Sequence, residues 1–161
     1  MSEAVKLAPK LATLADHQQI RWLGQTRLRV LADAAATGGQ VSVIEEFCGD
    51  GDASPLHVHH HEDEIFWLLE GAMTAWVGDD RHELAPGGFA LLPRGLPHAY
   101  RFTAPSRALL IATPAGIEEM FRGAGWDLAT PPPTDWSVSM PRLAEICEQR
   151  QTPILGPPPG V

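Results

Sequence analysis

The sequence predicts an all-β protein, and two observations indicate that fold class. Between about residue 20 and residue 113, short segments rich in β-branched and aromatic residues alternate with Gly, Pro and Asp. These segments recur at short, regular intervals, which is typical of an antiparallel sandwich or barrel and not of a parallel α/β sheet. At 161 residues, the chain is long enough to enclose one hydrophobic core.

Each predicted strand is a short apolar run that ends at a turn signal. Gly-rich or Asp-rich turns are expected at 37–39, where the sequence predicts a hairpin, and at 78–80. The predicted strands are 20–24, 26–32, 40–48, 56–61, 64–69, 72–77, 82–84, 89–92, 98–103 and 108–112.

The pattern changes after Pro114, where two short helices are predicted, at 116–123 and 139–150. Leu143, Ile146 and Cys147 share one face of the second helix, so we expect that helix to pack on the barrel. The sequence therefore predicts a single domain over 1–161, with a barrel at about 20–113 and a helical C-terminal extension at about 114–161.

Composition argues against several classes of partner. Asp and Glu number 20 against 12 Lys and Arg, for a net charge of −8, so neither nucleic acid nor an anionic membrane is expected as a partner. The N-terminus lacks a signal-peptide pattern and no apolar run is long enough to span a bilayer, which favours a cytoplasmic location. Cys48 and Cys147 lie far apart and are expected to be reduced thiols.

A histidine-rich segment supplies candidate metal ligands. Side chains alternate in a strand, so His57, His59 and His61 share one side, and alternation alone leaves open whether 57/59 or 59/61 is the inward pair. Glu64 has the opposite parity and can join them only after a turn, which we expect to be solvent-exposed at 62–63. With His98 from a later strand, these imidazoles and the carboxylate are typical ligands of a divalent transition metal.

The spacing of these residues resembles the two motifs of the cupin superfamily. The first motif, G-x5-H-x-H-x3,4-E-x6-G, is matched by Gly51, His57, His59, Glu64 and Gly71, with four residues before the glutamate. The second motif, G-x5-P-x-G-x2-H-x3-N, is matched by Gly87, Pro93, Gly95 and His98, with Phe102 in place of the final Asn. This match selects the 57/59 pair, because a motif that starts at His59 and His61 finds no carboxylate at 65 or 66.

The resemblance implies a double-stranded β-helix, the jelly-roll barrel of the cupins, with short C-terminal helices. It also implies one divalent transition metal ion per chain (Fe, Mn, Ni, Co, Cu or Zn), held by His57, His59, Glu64 and His98. Cupins are commonly dimers, so a homodimer is expected. Phe66, Leu68, Tyr100 and Phe102 share the parity of Glu64 or His98, so we predict that they face the interior, where they either pack in the core or line a substrate pocket.

Within the cupins, residues 55–66 and 113–121 are similar to those of quercetin 2,3-dioxygenase-like proteins. This similarity implies an enzyme that cleaves a flavonol-like or other small aromatic or enol substrate with O2. Glu64 would be the catalytic residue that takes the substrate's hydroxyl proton. The alternatives are another metal-dependent cupin enzyme (isomerase, decarboxylase, cyclase or thiol dioxygenase) and a non-catalytic metal or small-molecule binding module, because a fold does not fix a function.

Overall fold

A computed structural model describes residues 7–160. Its strands are β1 (Gln19–Arg21), β2 (Arg27–Ala32), β3 (Ser42–Cys48), β4 (Leu56–His57), β5 (Asp63–Glu70), β6 (Met73–Val77), β7 (Asp80–Leu84), β8 (Phe89–Leu92), β9 (His98–Phe102), β10 (Ser106–Thr113), β11 (Trp126–Asp127) and β12 (Ile154–Gly156). Its helices are α1 (Ala34–Thr37), α2 (Glu118–Ala124) and α3 (Met140–Gln149), preceded by a 3-10 turn at Leu14–Asp16.

The strands form two antiparallel sheets. The larger sheet has seven strands in the order β11-β1-β2-β3-β10-β5-β8, and the smaller has five in the order β12-β4-β9-β6-β7. The crossovers from one sheet to the other give the jelly-roll arrangement, in which the two sheets enclose one core. The predicted all-β jelly-roll fold is confirmed.

Alternation along the strands builds that core. In β10 every second residue is buried, from Ser106 through Ala108 and Leu110 to Ala112. The same period buries Phe66 and Leu68 of β5, whereas Trp67 between them points outward and is 48% exposed. The inner faces of the two sheets therefore meet as a closed apolar interior.

The connection between β2 and β3 differs from the predicted hairpin turn. It is a single helical turn, α1, whose N-terminus is capped by the Asp33 carboxylate accepting from the Ala36 N–H at 2.9 Å. Gly38 ends the turn in the left-handed conformation, with φ of 61°. The glycines thus terminate a helix, and β2 still pairs with β3.

Two short strands from beyond residue 113 complete the sheets. β11 extends the larger sheet by pairing with β1, and β12 extends the smaller one by pairing with β4. The strand predicted at 56–61 is only two residues long in the structure, because the chain leaves the regular pairing after His57. After His57 the chain bonds irregularly to the C-terminal segment, with Val58 N–H donating to the Pro153 carbonyl and His60 N–H to the Gln151 carbonyl.

Gly71 is required by close packing at the end of β5. Its φ is +88°, and a Cβ there would lie 2.5 Å from the Pro105 carbonyl oxygen. The β5–β6 turn therefore packs closely against the start of β10. Within residues 7–160, no helix is both long and apolar enough to cross a lipid bilayer.

Candidate metal centre

Both sheets contribute to a cluster of three histidines and one glutamate. His57 ends β4 and is paired across the smaller sheet with His98, the first residue of β9. His59 follows two residues after His57, and Glu64 reaches the same point from β5 of the larger sheet. One potential ligand atom from each of the four lies within 4.8 Å of the others, and all four residues are buried.

Backbone carbonyls fix the tautomers of two histidines. Nδ1 of His57 lies 2.8 Å from the Pro55 carbonyl oxygen, and Nδ1 of His98 lies 3.0 Å from that of Leu96. A carbonyl only accepts hydrogen bonds, so Nδ1 carries the proton in both rings. Nε2 of each ring is therefore left to face the site, where it carries either the lone pair that binds a metal or a second proton that can be donated to a carboxylate.

The donor atoms at the centre of the cluster fit a cation. Nε2 of His98 lies 3.0 Å from Glu64 Oε2, and Nε2 of His59 is buried without a hydrogen-bond partner among the described residues. Three imidazole nitrogens and a carboxylate oxygen converge here, and hydrogen bonds among them do not satisfy all four groups. A divalent ion satisfies such a set, because imidazole nitrogen and carboxylate oxygen are common ligands of transition metals.

Burial and neighbouring side chains shift the pKa values of two of the four residues strongly. For Glu64, burial favours the neutral acid, but the hydrogen bond from His98 and the neighbouring imidazoles outweigh it and lower the pKa to about 2. For His57, burial and the neighbouring His98 lower the pKa to about 4. Glu64 is therefore ionised and His57 neutral at pH 7, which are the forms that bind metal.

A further carboxylate lies beside His59. Glu62, predicted to be in a solvated turn, is only 3% exposed, and its Oε2 lies 3.5 Å from His59 Nδ1. Arg150 Nη2 binds the other oxygen at 3.1 Å. Burial raises the pKa of Glu62, but the contacts with His59 and Arg150 lower it by a larger amount, so the net shift is downward. The prediction of a solvent-exposed position was wrong for Glu62, because the C-terminal extension covers it, whereas the Asp63 side chain is partly exposed.

The same carboxylates affect His59. Burial lowers the pKa of its imidazole, but Glu62 and Glu64 together raise it by more. The two following histidines, His60 and His61, are exposed, as expected of side chains outside the ligand set.

A small cavity adjoins the cluster. Its volume is about 30 Å³, room for about two water molecules. The C-terminal extension supplies much of its wall, so α2 and α3 cover the mouth of the barrel. The lining residues are Trp22, Leu23, Ser54, Pro55, His57, His59, Glu64, Tyr100, Met120, Phe121, Leu143, Cys147, Thr152 and Ile154.

The four predicted pocket residues occupy two different positions. Tyr100 lines the cavity, whereas Phe66, Leu68 and Phe102 lie in the core and are not part of its wall. The ring of Tyr100 packs against those of Phe66 and Phe102, at centroid distances of 4.7 and 5.7 Å. These two aromatic residues therefore support the wall from behind.

Sequence reasoning missed most of the wall. The apolar face of α3 was a usable signal, and Leu143 and Cys147 on that face do line the cavity. Trp22 and Leu23 precede the turn between β1 and β2, and strand alternation does not indicate which way they point. Thr152 and Ile154 lie in a segment too short for periodicity to identify.

Comparison with known proteins agrees with this geometry. The family model described as the cupin domain matches residues 44–113. A quercetin 2,3-dioxygenase from Bacillus subtilis (strain 168) is 32% identical over 126 residues, which cover 76% of this chain. The match spans only 37% of that relative's length.

Solved structures show the same fold. The polyketide cyclase RemF from Streptomyces resistomycificus is 29% identical, with a TM-score of 0.54 over 66% of this chain and 80% of that one. An RmlC-like cupin from Shewanella frigidimarina is 13% identical, with a TM-score of 0.61 over 70% of this chain and 96% of that one. Sequence, fold and ligand spacing together identify residues 44–113 as a cupin domain, in a chain that is similar in sequence to a quercetin 2,3-dioxygenase.

Proposed function

We propose that this protein is a metal-dependent dioxygenase that opens an enol-bearing ring of the flavonol type. The observation that carries the proposal is the convergence of His57, His59, Glu64 and His98 beside a mostly apolar cavity. The similarity to a quercetin 2,3-dioxygenase supplies the reaction class. The substrates would be a small enol or aromatic molecule and O2.

The four residues would hold one divalent transition metal ion. Such an ion, when bound, would supply Lewis-acid polarisation of the substrate's oxygen and a point at which substrate and O2 meet. Four protein ligands leave positions free if the ion takes five or six ligands. Open positions are typical of catalytic and not of structural sites.

Glu64 is the proposed proton acceptor. Its lowered pKa of about 2 keeps the carboxylate ionised and able to take the hydroxyl proton of the enol. The same low pKa makes it a weak base, so transfer requires a hydroxyl group made more acidic in the bound substrate. Tyr100, Phe121 and Leu143 would exclude water from this step, because they surround the same cavity.

The size of the cavity limits which substrates can enter without a change in the structure. A flavonol is much larger than a cavity of about 30 Å³. We therefore infer that its entry requires outward movement of the roof that α2, α3 and the residues before β12 provide. A smaller enol substrate would need less movement of this roof.

The deciding experiment follows quercetin in air and under anaerobic conditions, with protein purified without a histidine tag and its metal content measured. We expect oxygen-dependent loss of the flavonol absorbance and release of carbon monoxide. If fully metal-loaded protein leaves the absorbance unchanged in air, the flavonol assignment is wrong.

Two variants separate the roles of the ligands. His57→Ala is expected to lose the metal. Glu64→Gln is expected to lose about 10²- to 10⁴-fold in turnover, the usual contribution of a positioned base, while retaining some metal. Equal loss of metal in both variants would leave Glu64 as a ligand without a separate role as a base.

A second candidate is Lewis-acid chemistry that needs no O2, such as cyclisation. The similarity to the polyketide cyclase RemF, together with the small cavity, favours this alternative over a non-catalytic binding module. The two enzymatic candidates differ in one measurement. A cyclase or decarboxylase reaction proceeds without O2 uptake, whereas the dioxygenase consumes one O2 per substrate.

A homodimer is also proposed, through the outer face of the larger sheet. Trp67, Phe89 and Leu91 lie side by side there and are 48%, 65% and 50% exposed. Burying exposed apolar side chains of this size stabilises association. Sedimentation should show a dimer that Phe89→Glu converts to monomer, and a monomeric wild-type protein would contradict this.

A further inference from the structure

We propose that Glu62, Arg150 and Thr152 are positioning residues for the metal centre. They fix the ring of His59 with Nε2 facing the site, and they make metal affinity depend on the C-terminal segment. This inference rests on the metal site of the proposed function but not on the reaction carried out there.

The ring of His59 is held differently from those of the other two histidines. Nδ1 of His57 and of His98 each bond to the carbonyl two residues earlier, which is a local contact. The acceptors recorded near Nδ1 of His59 are side chains, Thr152 Oγ1 at 3.4 Å and Glu62 Oε2 at 3.5 Å. The orientation of this ring therefore depends on side chains, one of them from a distant part of the chain.

Glu62 is placed to act on that ring. Its Oε1 accepts from Arg150 Nη2 at 3.1 Å, and its Oε2 is buried with no hydrogen-bond donor of its own among residues 7–160. A buried carboxylate oxygen without a donor is destabilising. Nδ1 of His59 lies 3.5 Å from this oxygen and is placed to donate to it.

The C-terminal segment carries the other two residues. Gln151, between Arg150 and Thr152, has a φ of 55°, a left-handed turn that is uncommon for a residue with a side chain. Thr152 N–H donates to the Cys147 carbonyl at 2.8 Å, which ties this turn to α3. The same segment bonds to the backbone of Val58 and His60, on both sides of His59.

Metal affinity would therefore depend on the position of the C-terminal segment. If the segment at 150–152 leaves the barrel, the ring of His59 loses its polar contact with Thr152, and Glu62 loses Arg150. Partners of this kind that orient a ligating histidine typically change metal affinity by 10- to 100-fold. Because the roof of the cavity belongs to the same extension, opening the cavity would weaken the hold on the metal.

The test measures Co²⁺ affinity by competition with a chelator, together with the visible spectrum of the bound Co²⁺. Glu62→Ala is expected to weaken affinity by about 10- to 100-fold and Arg150→Met by about tenfold, with shifted Co²⁺ bands in both. Arg150→Lys should recover most of the loss, since it restores a cation for Glu62. Arg142→Met is the matched control, because Arg142 lies on α3 and its ion pair with Glu145 is exposed.

Each outcome decides the proposal. Wild-type affinity and spectrum in both Glu62→Ala and Arg150→Met would overturn it. Equal weakening by Arg142→Met would also overturn it, by assigning the effect to general destabilisation. If Glu62→Ala does not fold, Arg150→Met decides, because that side chain is 26% exposed. If wild-type protein binds no Co²⁺, the proposed metal site itself fails, whereas normal binding in the variants sinks only the positioning role.

Discussion

Two glutamates in the same barrel interior behave in opposite ways. Glu64, on β5, lies among three imidazoles, and its pKa falls to about 2. Glu46, on β3, is equally buried, but burial and the charges of Glu64 and Asp52 raise its pKa to about 8. Its Oε2 is 3.9 Å from Cys48 Sγ, and its Oε1 has no partner among residues 7–160.

The comparison shows that burial alone does not set the charge of a side chain. Both carboxylates lose hydration, and what separates them is the presence of hydrogen-bond donors and positive charge. Glu64 keeps its charge because imidazoles replace water, whereas Glu46 keeps its proton because nothing does. The barrel interior thus holds one ionised carboxylate that can bind a cation and, close to it, a second carboxyl group that stays neutral.

The largest effect is expected from removing the histidine that keeps Glu64 ionised. His98→Ala should abolish tight metal binding and destabilise the metal-free protein by about 3–5 kcal/mol, because it leaves a buried carboxylate without its hydrogen-bond partner. Urea unfolding and metal analysis measure both effects. His60→Ala is the control, since that exposed side chain lies outside the cluster. Equal stability of the two variants would contradict the role given to His98.

The next effect is a pH dependence that comes from Glu46. Its pKa is about 8 when folded and about 4.5 when unfolded, so the unfolded chain releases the proton first as pH rises and folding stability is lost between those values. At about 1.4 kcal/mol per unit, the loss reaches about 3 kcal/mol at pH 7.

The variant Glu46→Gln should remove this loss. The free energy of unfolding of the variant minus that of the wild type should therefore rise by about 3 kcal/mol from below pH 4.5 to pH 7. Taking the difference removes the opposing contribution of His57, whose lowered pKa stabilises the fold as pH rises through about 4 to 6.5. A flat difference would mean that Glu46 titrates normally.

The smallest effect is expected at Cys48, the thiol that contacts Glu46. Cys48→Ala should lower the free energy of unfolding by about 1 kcal/mol. It should also raise the pH at which Glu46 loses its proton in the folded protein, because the thiol contact lowers the pKa of that carboxyl. Cys147→Ala, a buried cysteine on α3, is the control and should leave the transition unchanged. The comparison fails if both variants shift it equally.

Much of the site could be predicted from the sequence, because its signals are local. The spacing of His57, His59 and Glu64 between two glycines fits only one register of the motif. Gly71 is one of those glycines, and the structure shows why a side chain is excluded there. The bounds of β8 were also predicted correctly, since a four-residue apolar run ends at Pro93.

The errors share a different cause. Glu62 was assigned to solvent because charged residues between strands usually form exposed turns, yet Arg150 reaches it from 88 residues away. Strands β11 and β12 were missed because two or three residues show no period. The glycines at 38 and 39 indicate a turn, but such a turn is compatible both with a hairpin and with the end of a short helix such as α1.

The sequence by itself determined which four side chains meet and that they lie inside a jelly-roll barrel. Alternation along strands left two histidine pairs open, and the spacing of the two cupin motifs selected His57 and His59 and implied the barrel. Only the tertiary structure decided how that interior is charged and covered: Glu64 ionised, Glu46 protonated, Glu62 buried beside His59, and a small cavity beneath α2 and α3. Each of these depends on neighbours far apart in the chain, because burial and charge depend on distance in space.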